Sequence, residues 1–156
     1  MTQPPQTALL VEFGAPTGAT EMTEVCPLGF GGDPTVVLFF ISWAYSLRFG
    51  GMHELAQAAM HMQRKHHADL RPLLTFADRE IEDEDDQHAF DHAWQDSAGL
   101  AASARAVATA AESDDPTLRL LLDGYEDLAP RLRDLAAMCD WAAERGLPVR
   151  LSFTLG

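Results

Sequence analysis

A chain of 156 residues, 47% of them apolar and 22% charged, has the size and composition of one globular domain spanning 1–156 rather than of a disordered segment. Its 24 acids against 11 bases, a net charge of −13, repel phosphate backbones and so argue against nucleic-acid binding. Cys26 and Cys139 have no CxxC spacing, which argues against a cysteine zinc site and leaves both as small buried hydrophobes.

Residues 1–6 carry no positive charge and Ala8 to Val11 is too short for a signal-peptide core, so the chain reads as cytoplasmic with a disordered start. Leu9, Val11 and Phe13 then alternate with other residues at the period of a half-buried strand. A Gly/Pro/Thr-rich stretch over 14–33 follows. It is longer than most connections in compact domains and is a candidate functional loop or lid.

Asp33-Pro34-Thr35 is a helix-start signal, and the run from Val36 to Phe49 behind it carries one charge, Arg48. Its β-branched and aromatic residues would also suit a strand over Val36 to Ile41, but its length favours a central helix buried all round. The uncharged part, 34–47, is shorter than the roughly 20 residues needed to span a bilayer, so no membrane partner is expected.

Beyond Gly50-Gly51, the stripe Met52, Leu55, Ala59, Met62, His66 and Leu70 predicts a second helix over 52–70, ended by Pro72. Leu73 to Glu82 is compatible with a short helix capped by Thr75. Phe90, Trp94, Ser97, Ala101, Ala104, Ala108 and Ala111 predict a helix over 87–111 whose alanine-rich half admits a close neighbour.

Asp115 as N-cap, Pro116 at the first helical position and Gly146 just past the end delimit a helix over 116–145. Leu118, Leu121, Tyr125, Leu128, Leu132, Leu135, Cys139 and Ala142 form its inward seam, with a kink or break expected at Pro130. Val149, Leu151, Phe153 and Leu155 then alternate as a strand, predicted to pair with the N-terminal one. The fold class is therefore mainly α, a four- or five-helix bundle with a small β-ribbon formed by the N- and C-terminal strands.

Two places could carry function. From Asp78 to Asp96 nine acids stand against the single base Arg79, a net −8 of the −13. Acids ahead of a helix beginning near Gln87 would stabilise its N-terminus, which accounts for two or three of them. The excess makes Glu82, Asp83, Glu84, Asp85, Asp86 and Asp91 the candidate docking patch for a basic protein partner, as in an inhibitor, immunity protein or regulatory adaptor.

The alternative is a small-molecule, metal or cofactor-binding bundle, and within it an enzyme. His66 falls within the inward stripe of its helix and is the candidate ligand or general base there; a carboxylate beside it would mark that role, and a backbone carbonyl or Ser97 a structural one. Glu84, His88, His92 and Asp96, each four residues apart, could hold a transition metal on one helical face, although His88 and His92 lie about 160° from Phe90 and so point to solvent.

Nothing in the chain spells a Ser/His/Asp constellation, a nucleophile elbow or a dinucleotide fingerprint, so no organic cofactor is expected. Three short look-alikes fail on their own spacing. His66-His67-Ala68-Asp69 is similar to the double-histidine and acid pattern of hemerythrin-like proteins, but Leu70 stands where that pattern has glutamate. Arg48 and His53 share a spacing with some helical ribonucleases but flank Gly50-Gly51, and Gly14 to Thr20 lacks the lysine of a phosphate loop.

Overall fold

The computed structural model describes residues 8–14, 26–45, 53–78 and 83–154. In chain order its elements are β1 (Ala8–Phe13), α1 (Thr35–Tyr45), α2 (Glu54–Lys65), β2 (Phe76–Asp78), α3 (Glu84–Asp91), β3 (Trp94–Gln95), α4 (Ser97–Ala111), α5 (Pro116–Leu121), α6 (Leu128–Glu144) and β4 (Val149–Thr154). Helices dominate, and the two terminal strands pair antiparallel, Leu9 opposite Phe153 and Val11 opposite Leu151.

The sheet is larger than a ribbon. β4 is its centre, with β1 on one edge, while β2 runs parallel to 151–153 and β3 antiparallel to 149–150 on the other. The segment expected as a short Thr75-capped helix thus supplies a strand; the Thr75 hydroxyl instead donates back to the Arg71 carbonyl. Pairing on both edges leaves the alternate, polar residues of β4 buried as well. Arg150 and Ser152 are both buried. Arg150 lies over the Trp94 ring at 4.4 Å and donates to Glu12 Oε2 at 2.7 Å, and Ser152 donates to Glu12 Oε1 at 3.0 Å, so both residues meet the same carboxylate across the strand pair.

The helix predicted over 87–111 is two. α3 stops at Asp91, the chain extends through β3, and Asp96 starts α4 by accepting from the Gly99 amide at 3.0 Å. The packing of α4 on α6 is the largest helix–helix interface among the described residues, and it suits residue size: Ala101, Ala104 and Ala108 of α4 are buried in the same core as Leu132, Leu135 and Cys139 of α6. Burial pushes the Cys139 thiol up to about 12, so it behaves as the small hydrophobe expected; Cys26 is half-buried against Trp141.

The helix predicted over 116–145 also divides, but not at Pro130. α5 ends at Leu121, the chain turns through Gly124 at φ +93°, and α6 resumes at Leu128. Pro130 then sits in the first turn of α6, where no intrahelical bond is required of its nitrogen. Gly146, at φ +69°, closes α6 as expected of a left-handed terminal residue. Leu118, Leu128, Leu132, Leu135, Cys139 and Ala142 are buried along the seam, whereas Leu121 and Tyr125, beside the break, are only half-buried.

α1 is a helix and not a strand, yet it is not buried all round. Val37, Leu38, Phe40, Ile41 and Ala44 enter the core, while Phe39, Trp43 and Tyr45 are exposed. Among the described residues no helix is long and apolar enough to cross a membrane. Residues 15–25 of the proposed lid, residues 1–6 and the Gly50-Gly51 turn lie outside the described residues; 26–33 form an irregular segment leading to α1.

Candidate metal centre

α2 and α5 are packed together, and their facing ends bring three metal-ligating side chains to one point. α2 begins at His53, whose Nδ1 accepts from the Leu55 amide, and it ends at His66 because His67 takes φ +54°. Histidine enters that left-handed region more readily than most residues other than glycine. The Met62 carbonyl accepts from both the His66 and Ala68 amides, closing the last turn and fixing where the His66 ring leaves the helix. His66 therefore does not belong to the apolar stripe of α2; it is the helix cap, and its side chain is 26% exposed rather than enclosed.

Opposite it, Asp115 caps α5. Its Oδ1 accepts from the amides of Thr117 and Leu118 at 2.9 and 3.3 Å, as a residue before a first-turn proline is placed to do. The other oxygen is turned to α2. Oδ2 lies 2.9 Å from His66 Nε2 and 2.6 Å from His61 Nε2, and the two rings are 6.0 Å apart. These three donor atoms lie within 4.8 Å of one another. All three side chains are part-buried, at 21%, 26% and 16% exposed for His61, His66 and Asp115, so one side of the cluster faces solvent. The hydrogen bonds from His66 and then His61 hold the Asp115 carboxyl well below the usual carboxylate range, and the α5 amides add to the effect.

Two imidazoles and one carboxylate form the borderline N/O donor set of zinc and neighbouring divalent transition metals. Around a tetrahedral ion with bonds of about 2.1 Å the donors stand roughly 3.4 Å apart. The observed 2.6 and 2.9 Å fall short of that by about 0.8 and 0.5 Å, so both rings must draw back from the carboxylate to admit an ion. Three protein ligands leave a fourth position on the exposed side, the ligand number of sites that keep a water rather than of closed structural sites.

The other candidates are arranged differently. His88, on α3, and His92, just past its end, are exposed and stacked at 3.9 Å, with His92 Nδ1 donating to the His88 carbonyl at 2.8 Å. Asp96 belongs to the start of α4, so the break after Asp91 separates it from the helical face of Glu84, His88 and His92. Of the acidic patch, Asp83, Glu84 and Asp85 are exposed at the start of α3, Asp86 and Asp91 lie on that helix, and Glu82 is outside the described residues. Ser97 is buried and donates to the Leu147 carbonyl.

Sequence reading pointed to His66 and to Asp115 as a cap but not to their meeting, and it passed over His61. The spacing of His61 and His66 is five residues, which an unbroken helix would not place on one face, and Asp115 is a further 49 residues along. Comparison of the chain with family models, with curated proteins and with solved structures gave no match.

Proposed function

We propose that this protein binds a divalent transition metal, zinc being the best fit to the donors, through His61 Nε2, His66 Nε2 and Asp115 Oδ2. The observation that carries the reading is the convergence of both imidazole nitrogens on one carboxylate oxygen whose twin is already engaged with the α5 amides. Supporting it, the helix-cap bonds fix Asp115 before any metal arrives, so little ordering cost remains for that ligand. The metal and the two hydrogen bonds are alternative occupants of the same space: to coordinate, each ring carries its proton on Nδ1 and presents the Nε2 lone pair. The ion would supply Lewis acidity to a water at the solvent-facing position.

Elemental analysis of untagged protein dialysed against zinc should return one equivalent. His61→Ala and His66→Ala should each reduce that to substoichiometric levels without loss of helicity by circular dichroism. Stoichiometric zinc retained by the double variant would overturn the assignment.

A second reading keeps the acidic patch as a docking surface for a basic protein, favoured by the exposure of Asp83, Glu84 and Asp85 in succession. Association through it should slow steeply as salt rises from about 0.05 to 0.5 M, and a rate insensitive to salt would dismiss it.

A further inference from the structure

α1 presents an apolar stripe to solvent. Val36, Phe39 and Trp43 follow one another at i, i+3 and i+7, so they share one side of the helix. Val36 is half-buried, while Phe39 and Trp43 are 47% and 39% exposed. Exposed aromatics aligned along a helix mark binding surfaces more often than isolated ones do. The Trp43 indole is stacked on the His53 ring at 4.1 Å, nearly parallel, which fixes one end of the stripe. At the other end the stripe opens into a cleft of about 380 Å³ between α1 and the turn that separates α5 from α6.

The cleft is lined by the apolar Val36, Phe39 and Tyr125 and by the acidic Asp33, Glu126 and Asp127, the acids exposed. Among the described residues, every charged one lining it is acidic. Asp33 is committed to capping, accepting from the Thr35 amide, and Glu126 accepts from the Gly124 amide, so both carboxylates are held at the rim rather than free to swing away.

We infer that this face is a docking groove for a basic amphipathic helix of a partner protein, its apolar residues on Val36, Phe39 and Trp43 and its lysines or arginines against Asp33, Glu126 and Asp127. The stripe is about two helical turns long, the reach of anchors at i, i+3 or i+4, and i+7 in a helix laid into a groove. Charge selects this occupant over a second copy of the chain, which would bring another −13 and the same acidic rim against this one. The inference is independent of the metal centre and uses a surface separate from the acids at the start of α3.

The probe is a fluorescein-labelled helical peptide of about 16 residues with leucines on one stripe and arginines and lysines elsewhere, beside a scrambled peptide of the same composition. Titration followed by anisotropy should show saturable one-to-one binding of the amphipathic peptide and at least about tenfold weaker binding of the scrambled one. Phe39→Ser with Trp43→Ser should cost about tenfold or more. Glu126→Gln with Asp127→Asn should weaken binding several-fold and flatten its salt dependence. Asp83→Asn with Glu84→Gln and Asp85→Asn should change it by less than about twofold.

Circular dichroism of each variant establishes that these surface changes leave the fold intact. The inference is overturned if the intact protein does not bind the amphipathic peptide, if both peptides bind alike, or if affinity survives the Phe39/Trp43 change. It is equally overturned if affinity follows the 83–85 change, which would mean unspecific attraction to the acidic surface. A dimer in sedimentation equilibrium that dissociates on the Phe39/Trp43 change would assign the groove to a second copy instead.

Discussion

Leu132→Ala is expected to destabilise the protein by about 2 to 5 kcal/mol, the range for truncating a fully buried leucine in a core that collapses only partly around the gap. Leu132 is fully buried on α6, in the core cluster that also holds Leu128, Leu135, Cys139 and the alanines of α4. The alanines of α4 have no longer side chain with which to fill the space from the other side. Leu120→Ala is the matched control. It is 77% exposed on α5, and its change should stay within about 0.5 kcal/mol. Urea unfolding followed by circular dichroism measures both, with the midpoint shifting at constant slope if only stability changes. A loss below about 1 kcal/mol at Leu132 would contradict the packing described for the α4–α6 interface.

The second large effect is expected at Asp115, where asparagine separates two roles that alanine would remove together. Asn caps helices about as well as Asp, so Asp115→Asn should keep the bonds to the Thr117 and Leu118 amides and with them α5. It removes the charge and offers the histidines a weaker donor set. Loss of an outer partner of a metal ligand costs about 10–100-fold in affinity, and loss of an anionic ligand should exceed that. Competition titration with a chelating dye reads the change; undiminished zinc affinity in the asparagine variant would remove Asp115 from the site.

The same variant exposes a pH dependence in metal-free protein. In the folded state the Asp115 carboxyl lies below its ordinary value of 3.8, so it takes up a proton less readily there than in the unfolded chain. Its contribution to stability is accordingly complete above the ordinary carboxylate range and is lost as pH falls through the lower, folded value. Its partners across the helix pair are the His61 and His66 rings, and Asp114 beside it is paired with Arg119 at 2.7 Å. Melting temperatures of the native chain and Asp115→Asn, compared in the presence of a chelator, should therefore differ above the ordinary carboxylate range and converge as pH drops from about 5 to 2. A gap that stays constant across that window would show that the carboxylate charge contributes nothing to the clasp between α2 and α5.

Much of the architecture was legible because it rests on local rules. Asp115-Pro116 and Gly146 delimit a helical stretch through capping and backbone conformation alone, and both ends were found where expected. The alternation of β1 and β4 carries the same kind of information, since a strand with one buried face repeats every two residues. The breaks were not legible for a related reason. A seam of leucines continues in register through 122–127 whether or not the backbone does, and Pro130, which looked like the interruption, is tolerated in a first helical turn. Likewise the apolar spacing across 90–101 concealed β3, because a two-residue strand has no period of its own and exists only through its partner β4.

Sequence by itself thus determined a mainly helical acidic domain, the seam of α6, the closing pair of terminal strands and the outward setting of His88 and His92, since each depends on residues near one another in the chain or on a regular repeat. Tertiary structure alone decided the rest. Whether α1 would be enclosed or leave Phe39 and Trp43 at the surface depended on how many elements packed around it. Whether Arg150 and Ser152 would be wet depended on β2 and β3 covering the second edge of β4. And whether His66 would meet a carboxylate or a carbonyl depended on where α2 stops and α5 starts: Asp115, 49 residues away, reaches both His61 and His66 only because packing of the two helices holds a cap against a cap.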